Sequence, residues 1–390
     1  MTDLDDTEIT WLHIQYEEKA SFVETYGFAG NQGAVNLEGI LMRPRGQPSK
    51  TLQIFMHPTS TLQLLPVPRA TAAQGAHVLC AASRYAKNDS ALIMEKVVLD
   101  LGAYIRHAKQ VLGYERIVLV GWSGGGSLAL FYQAAAETPS ISRTPAGDPV
   151  YLATADLIPA DAVIFQAAHI SRARLLLDNI DPSVRNEDDP DDRIVEFDIY
   201  DPANPNQPPY SADFIAAYRA AQRGRVERIR TRVLETLDML KRRDTFELER
   251  GFVTHRTFAD PRFLDPALDP NDRRPRWSYL GNPETVNTGP VALGRFSTLR
   301  SWLSQWSPAE TNADGIANAA RMKAPLLAIE NGADDAVPQP HTKLVYDAAG
   351  SSDKSFHVIK GATHYYAGQP DKLTEALQLQ RTWLTARGIF

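Results

Sequence analysis

A few residues of this chain are placed to carry out nucleophilic acyl transfer. Ser123 lies in "IVLVGWSGGGSLAL" (117–130), where Gly121, Gly124, Gly125 and Gly126 fence one hydroxyl between two apolar segments. The run from Gly121 to Gly125 fits Gly-x-Ser-x-Gly, the pattern of a sharp strand-to-helix turn that thrusts the serine outward. The serine backbone is strained on such a turn, and the flanking glycines remove Cβ atoms that would collide where strand and helix pass. A serine hydroxyl is a poor nucleophile without a base. His364, in "KGATHYY", follows the last apolar strand pattern, and its imidazole can take the serine proton and return it to a leaving group. A third group must orient that imidazole. Asp334 and Asp335, in "AIENGADDAVP", follow the preceding strand pattern on a turn bounded by glycine and proline.

These residues need a scaffold that brings strand ends together. Short β-rich runs alternate with helical periodicity from about residue 34: "VNLEGILMR" (35–43), "TLQIFMHP" (51–58), "AHVLCAA" (76–82), "RIVLVGW" (116–122), "DAVIFQAA" (161–168), "PLLAIENG" (325–332) and "FHVIKGATH" (356–364). Helices are expected over 94–113, 127–137 and 372–388. Strands alternating with helices predict an α/β fold with a mostly parallel central sheet flanked by helices. The serine, the aspartates and the histidine all follow strands, so they would share the carboxyl edge of that sheet.

Between 169 and 324 the character changes. "RNEDDPDDR", "DPANPNQPP" and "DPRFLDPALDPNDRRPR" are rich in proline and charge and read as loops. Residues 211–243 carry a long helical pattern, with Val226, Ile229, Val233, Leu237 and Leu240 on one face and Gly224 as a point of kinking. Residues 296–306 place Phe296, Leu299, Trp302, Leu303 and Trp306 nearly on one stripe, which reads as packing, with an edge that lines an apolar pocket as the sharper alternative. The expected organisation is a core over 1–168, a helical cap or insertion over 169–300 and the rest of the core over 301–390.

Composition excludes several classes. The 390 residues carry a formal net charge of -6, so no basic field draws the chain to nucleic acid or an anionic membrane. No run of ~18 uncharged apolar residues predicts a membrane span, and the acidic start "MTDLDDTEIT" is not a secretory signal. A cytoplasmic location follows as the default. The single cysteine, Cys80, sits in an apolar run and reads as a core residue. "GWSGGGS" lacks the lysine of a phosphate-binding loop, and no cluster has zinc or calcium spacing. No metal or organic cofactor is implied. The partner expected is a small-molecule substrate, with monomer or homo-oligomer left open.

In its elbow pentad, its Gly-x-x-Asp…Val-Pro turn, its Gly-x-x-His turn and the order serine, aspartate, histidine, the chain resembles the α/β-hydrolase superfamily over about 34–168 and 320–390. The insertion, between the sixth and seventh core strands, is similar in size and placement to that family's cap domains. The resemblance implies an oxyanion hole formed by the N–H of Gly124 and by one from the turn in "FMHPTST" (55–61). Pro58 has no N–H, so Thr59 is the candidate, with Ser60 next. For the acid, counting back four from Pro338 as in many members selects Asp334. Counting three forward from Gly332 selects Asp335, which is favoured because the glycine permits the tight turn. His57 reads as shaping its loop, His169 as a residue able to face the cleft, and Tyr365 and Tyr366 as packing around the site. The expected activity is hydrolysis of a carboxylic ester with an apolar acyl or aryl part, through Ser123, Asp335 and His364 and an acyl-enzyme. Hydrolysis of a carbon–carbon bond in a diketone, or of an amide or thioester, is the alternative on the same scaffold. A ligand receptor with slow turnover is the alternative from another class.

Overall fold

The computed structural model describes residues 6–18, 33–243 and 245–390. Eight strands form the central sheet: β1 (Thr7–Glu17), β2 (Ala34–Pro44), β3 (Thr51–His57), β4 (His77–Ala82), β5 (Arg116–Ser123), β6 (Ala162–Ala168), β7 (Leu326–Asn331) and β8 (Lys354–Ile359). Their order is β1-β2-β4-β3-β5-β6-β7-β8. The pairs β1/β2 and β2/β4 are antiparallel, and all pairs from β4 to β8 are parallel. Strands β4, β6 and β7 are buried along their whole length, which is why they read as unbroken apolar runs rather than alternating ones.

Helices α1 (Pro66–Ala73), α2 (Met94–Gln110) and α3 (Gly124–Glu137) cover the sheet from the first half of the chain. One apolar cluster joins α2 and α3 to the sheet through Val97, Leu101, Ile105, Leu128, Phe131 and Tyr132. A second lies on the other face, where Leu377, Trp383 and Leu384 of the C-terminal helix (Pro370–Thr385) pack on Val118, Val120 and Ile164. Cys80 belongs to this second cluster. No described helix is long and apolar enough to cross a membrane.

Strand β1 falls outside the sequence reading, which starts the alternation at residue 34. Its inward positions, Leu12 and Ile14, alternate with exposed Ile9 and Trp11 on an edge strand. The outward apolar residues and the acidic start hide the period-two signal there.

Residues 169–325 run between β6 and β7. They carry α4 (Arg172–Asn179), α5 (Ala212–Arg242), α6 (Pro283–Thr288), α7 (Leu299–Trp306) and α8 (Gly315–Arg321). Helix α5 starts where Ser211 accepts a hydrogen bond from the N–H of Phe214, satisfying a first-turn donor. Val226, Ile229, Val233, Leu237 and Leu240 then pack on Leu299, Trp302, Leu303 and Trp306 of α7. Gly224 does not break α5, which runs 31 residues through it. The glycine is exposed with nothing near it, so only its intrinsic cost of about 1 kcal/mol opposes the helix. Helix α7 spans the boundary drawn at residue 300, and its tryptophans belong to the insertion's own core. Helix α9 (Pro340–Ala348) and the C-terminal helix, α10, complete the fold.

Candidate active site

Ser123 ends β5 and precedes α3, with φ 53° and ψ -126°. A non-glycine residue there costs on the order of 1–3 kcal/mol and persists only where its surroundings impose it. The imposition is visible at Gly121, where an added Cβ would lie 2.6 Å from the Cα of Gly126. The helix begins at Gly124, three residues earlier than its periodicity suggests, so the serine sits directly on a helix N-terminus, which favours negative charge.

His364 lies on the loop after β8 and is 1% exposed. Its Nδ1 is 3.0 Å from Oδ2 of Asp334. This corrects the expected pairing of His364 with Asp335. The other carboxylate oxygen of Asp334 accepts the N–H groups of Ala336 and Val337 at 2.8 and 2.9 Å. The aspartate that caps its own turn is therefore the one whose second oxygen is aimed at the histidine. Asp334, not Asp335, is the carboxylate hydrogen-bonded to the imidazole. One oxygen of Asp335 is buried without a partner, and burial, with the neighbouring charge of Asp334, holds its carboxyl above the usual range.

The imidazole of His364 is enclosed by aromatic rings. Trp122 lies 4.4 Å away between centroids, Tyr365 4.9 Å away edge-on, and Tyr279 5.9 Å away. Tyr279 comes from the insertion, and its N–H donates to the carbonyl of Asp335 at 3.1 Å. Tyr366 is tied into the core instead: its hydroxyl accepts from Gln166 at 2.7 Å and donates to Asn331 at 2.8 Å. An apolar crevice lined by Phe55, Leu62, Leu65, Val67, Trp122 and Tyr365 opens beside His364.

The turn after β3 differs from expectation. The N–H groups of Thr59 and Ser60 both donate to Nδ1 of His57, each at 3.1 Å. Both N–H groups are engaged by the imidazole between them. Nδ1 is thus an acceptor, and the neutral ring carries its proton on Nε2. Burial, then the charges of Arg172, His169 and His364, hold the ring well below the ordinary histidine range and keep it neutral. Nε2 lies against the elbow, since a Cβ added to Gly124 would be 2.5 Å from it. His57 thus brings its Nε2 close to Gly124.

Among the described residues the Ser123 hydroxyl makes no hydrogen bond, and such contacts are often long before substrate binds. No three His, Cys, Asp or Glu side chains converge as a metal site among the described residues. Two residues of the site escape the sequence reading. Arg172 starts α4 and looks like a solvated helix residue, yet it is 8% exposed. Tyr279 sits in a loop without periodicity, and no local signal marks it.

The strand order, the parallel register and the strained turn at the carboxyl edge define an α/β-hydrolase fold. Solved structures agree. The chain is similar to the α/β-hydrolase GrgF from Penicillium sp. sh18, with a TM-score of 0.53 and 11% identity over 98% of this chain and 100% of that one. It is similar to DcsB, solved with its substrate analogue, with a TM-score of 0.52 and 12% identity over 97% of this chain and 99% of that one. No family model and no curated protein matches the sequence.

Proposed function

We propose that the protein is a serine hydrolase of carboxylic esters. The observation that carries this reading is the strained Ser123 on the β5–α3 turn, on the same sheet edge as the buried His364–Asp334 pair. Because Asp334 holds Nδ1, Nε2 of His364 is the nitrogen left to take the serine proton. Ser123 Oγ attacks the ester carbonyl, and the carbonyl oxygen becomes an oxyanion. The N–H of Gly124 and the Nε2–H of His57 are the donors placed to receive it, each worth about 3–4 kcal/mol in comparable sites. His364 passes its proton to the departing alkoxide, leaving an acyl-serine. Water, deprotonated by His364, attacks the acyl carbon, and His364 returns that proton to Ser123 Oγ as the acid departs. Asp334 acts through the imidazole, holding its tautomer and stabilising the imidazolium. The insertion forms a cap over the sheet edge and controls access, a reading supported by Tyr279 against His364 and by the bond from its N–H to Asp335.

The test is turnover of p-nitrophenyl esters of graded acyl length, together with labelling by a fluorophosphonate and mass spectrometry of the adduct. Hydrolysis with a single adduct on Ser123 is expected. Tight binding of esters with neither turnover nor adduct would replace the hydrolase reading with a receptor.

A further inference from the structure

The chain leaves β6 in an unusual way. Trp122 pairs with Gln166 and Ser123 with Ala168, so Ala167 is bulged out of the ladder with φ 44°. Bulges beside active sites re-aim the side chains that follow. Those that follow are His169, Ser171 and Arg172, starting one residue beyond the partner of Ser123.

All three are buried, at 5, 1 and 8% exposure, and each has a polar atom without a partner: Nδ1 of His169, Oγ of Ser171 and Nε of Arg172. Ser171 is the N-cap of α4, yet its side chain caps nothing, where a serine there ordinarily accepts a first-turn N–H. Among the described residues the N–H groups of Arg172, Ala173 and Arg174 donate to no other group. The guanidinium of Arg172 is fixed from two sides. It lies 4.3 Å over the ring of Trp306, and Nη2 is 2.6 Å from Asp89, a carboxylate whose side chain is 40% exposed. Its charge acts on His57, His169 and Tyr279, all lining the same edge.

Unpaired buried donors concentrated at one place are rare in native proteins. A buried guanidinium with a free N–H, at the start of a helix whose first N–H groups are unspent, is the donor set that receives a carboxylate. We propose that residues 169–172 bind a carboxylate at the far end of the substrate, so that the ester cleaved at Ser123 is the half-ester of a dicarboxylic acid or an equivalent monoanion. This rests on the ester-hydrolase reading above. Arg172 would then determine specificity. A role confined to stapling α4 to Asp89 and Trp306 would leave Nε and Ser171 Oγ unexplained.

The experiment compares mono-p-nitrophenyl esters of C4 to C8 dicarboxylic acids with the same compounds carrying the far carboxyl as its methyl ester, with spontaneous hydrolysis subtracted. At the best length the wild-type chain should favour the anion by about tenfold or more in kcat/KM, mainly through KM. Arg172→Gln should bring the ratio close to one, Arg172→Lys should restore part of it, and Ser171→Ala should lower it several-fold. A merely structural Arg172 would lower both substrates together. Equal or better use of the neutral ester at every length by the wild-type chain overturns the proposal, whether or not the variants fold, and leaves the hydrolase reading standing. If neither ester is cleaved and Ser123 takes no label, the hydrolase reading fails first. Binding of free suberate to wild type but not to Arg172→Gln would then still support the carboxylate site, and its absence would overturn it.

Discussion

The sheet core and the insertion solve the same burial problem with different chemistry. The inner strands β4, β6 and β7 carry almost no charge and bury both faces. Among the described residues the insertion has two short ladders, 184–193 and 251–298, and long loops, and buried ion pairs join the packing of α5 on α7 in holding it. Arg256 donates through Nε to Asp181 at 2.7 Å and through Nη2 to Asp198 at 2.8 Å, with both carboxylates at most 2% exposed in their side chains. Arg225, with a fully buried side chain, donates to Glu187 and to the carbonyls of Asp181 and His255. Arg262 and Arg219 converge on Asp260. A strand satisfies its own backbone through its neighbours. Loop carbonyls lack those partners, and arginine forks supply them. The difference teaches that the inner strands are specified by apolar pattern, while the insertion adds to the apolar packing of its helices a set of charges that must meet.

The contrast breaks most sharply at the residues proposed to be catalytic, whose loss should cost activity and not stability. Ser123→Ala and Asp334→Asn should each lower kcat by on the order of 10⁴-fold, with Asp335→Asn costing about tenfold or less. Steady-state kinetics on purified variants with unchanged thermal midpoints check the ranking. A more damaging Asp335→Asn would return the acid to the other carboxylate.

In the insertion the reverse should hold. Arg256→Ala leaves buried Asp181 without its arginine and Asp198 with Arg193 alone, and should destabilise by about 3–5 kcal/mol. Urea unfolding read by tryptophan fluorescence measures this, because Trp302 and Trp306 report the insertion's core. An Arg256→Ala midpoint equal to wild type would show that this network orders nothing.

His57→Phe, which carries no N–H, tests the donor proposed beside Gly124. Loss of the Nε2–H should lower kcat by about 10²–10³-fold with KM little changed, and Thr59→Gly, which keeps every N–H, should leave kcat within a few-fold. Comparable losses in both variants would make the turn's shape, rather than the imidazole, the source.

The smallest effect lies where the two regions meet. His341, on core helix α9, has no partner for Nδ1 and is pushed down to about 3 by burial, then by Arg262 of the insertion. His169 is held well below the ordinary range by burial and then by Arg172. A folded-state value below the unfolded ~6.5 means that the unfolded chain binds more protons below that pH. The stabilisation is therefore complete above about pH 6.5 and is lost on acidification, at up to about 1.4 kcal/mol per pH unit for each histidine. Chemical unfolding between pH 7 and pH 5 should show this slope, and His341→Gln should remove one proton's share of it.

Much of the fold and part of the site are legible from the amino acids alone, for local reasons. Buried parallel strands are continuous apolar runs, and α5 repeats its apolar residues every three or four positions, so both survive as pattern. Ser123 and His364 are legible because glycines and strand ends mark the turns that carry them. The remainder depends on contacts across the chain. Adjacent Asp334 and Asp335 have the same local setting, and only the hydrogen bonds of Asp334 to Ala336 and Val337 turn its second oxygen toward a histidine 30 residues away. The N–H groups of Thr59 and Ser60 look free in a loop until the ring of His57 folds back between them. Arg172 resembles any charged residue opening a helix until Trp306, 134 residues on, covers its guanidinium. Periodicity determines which face of an element is buried, but the direction of a single polar side chain is set by the partner that reaches it, and that partner is placed only by the tertiary structure.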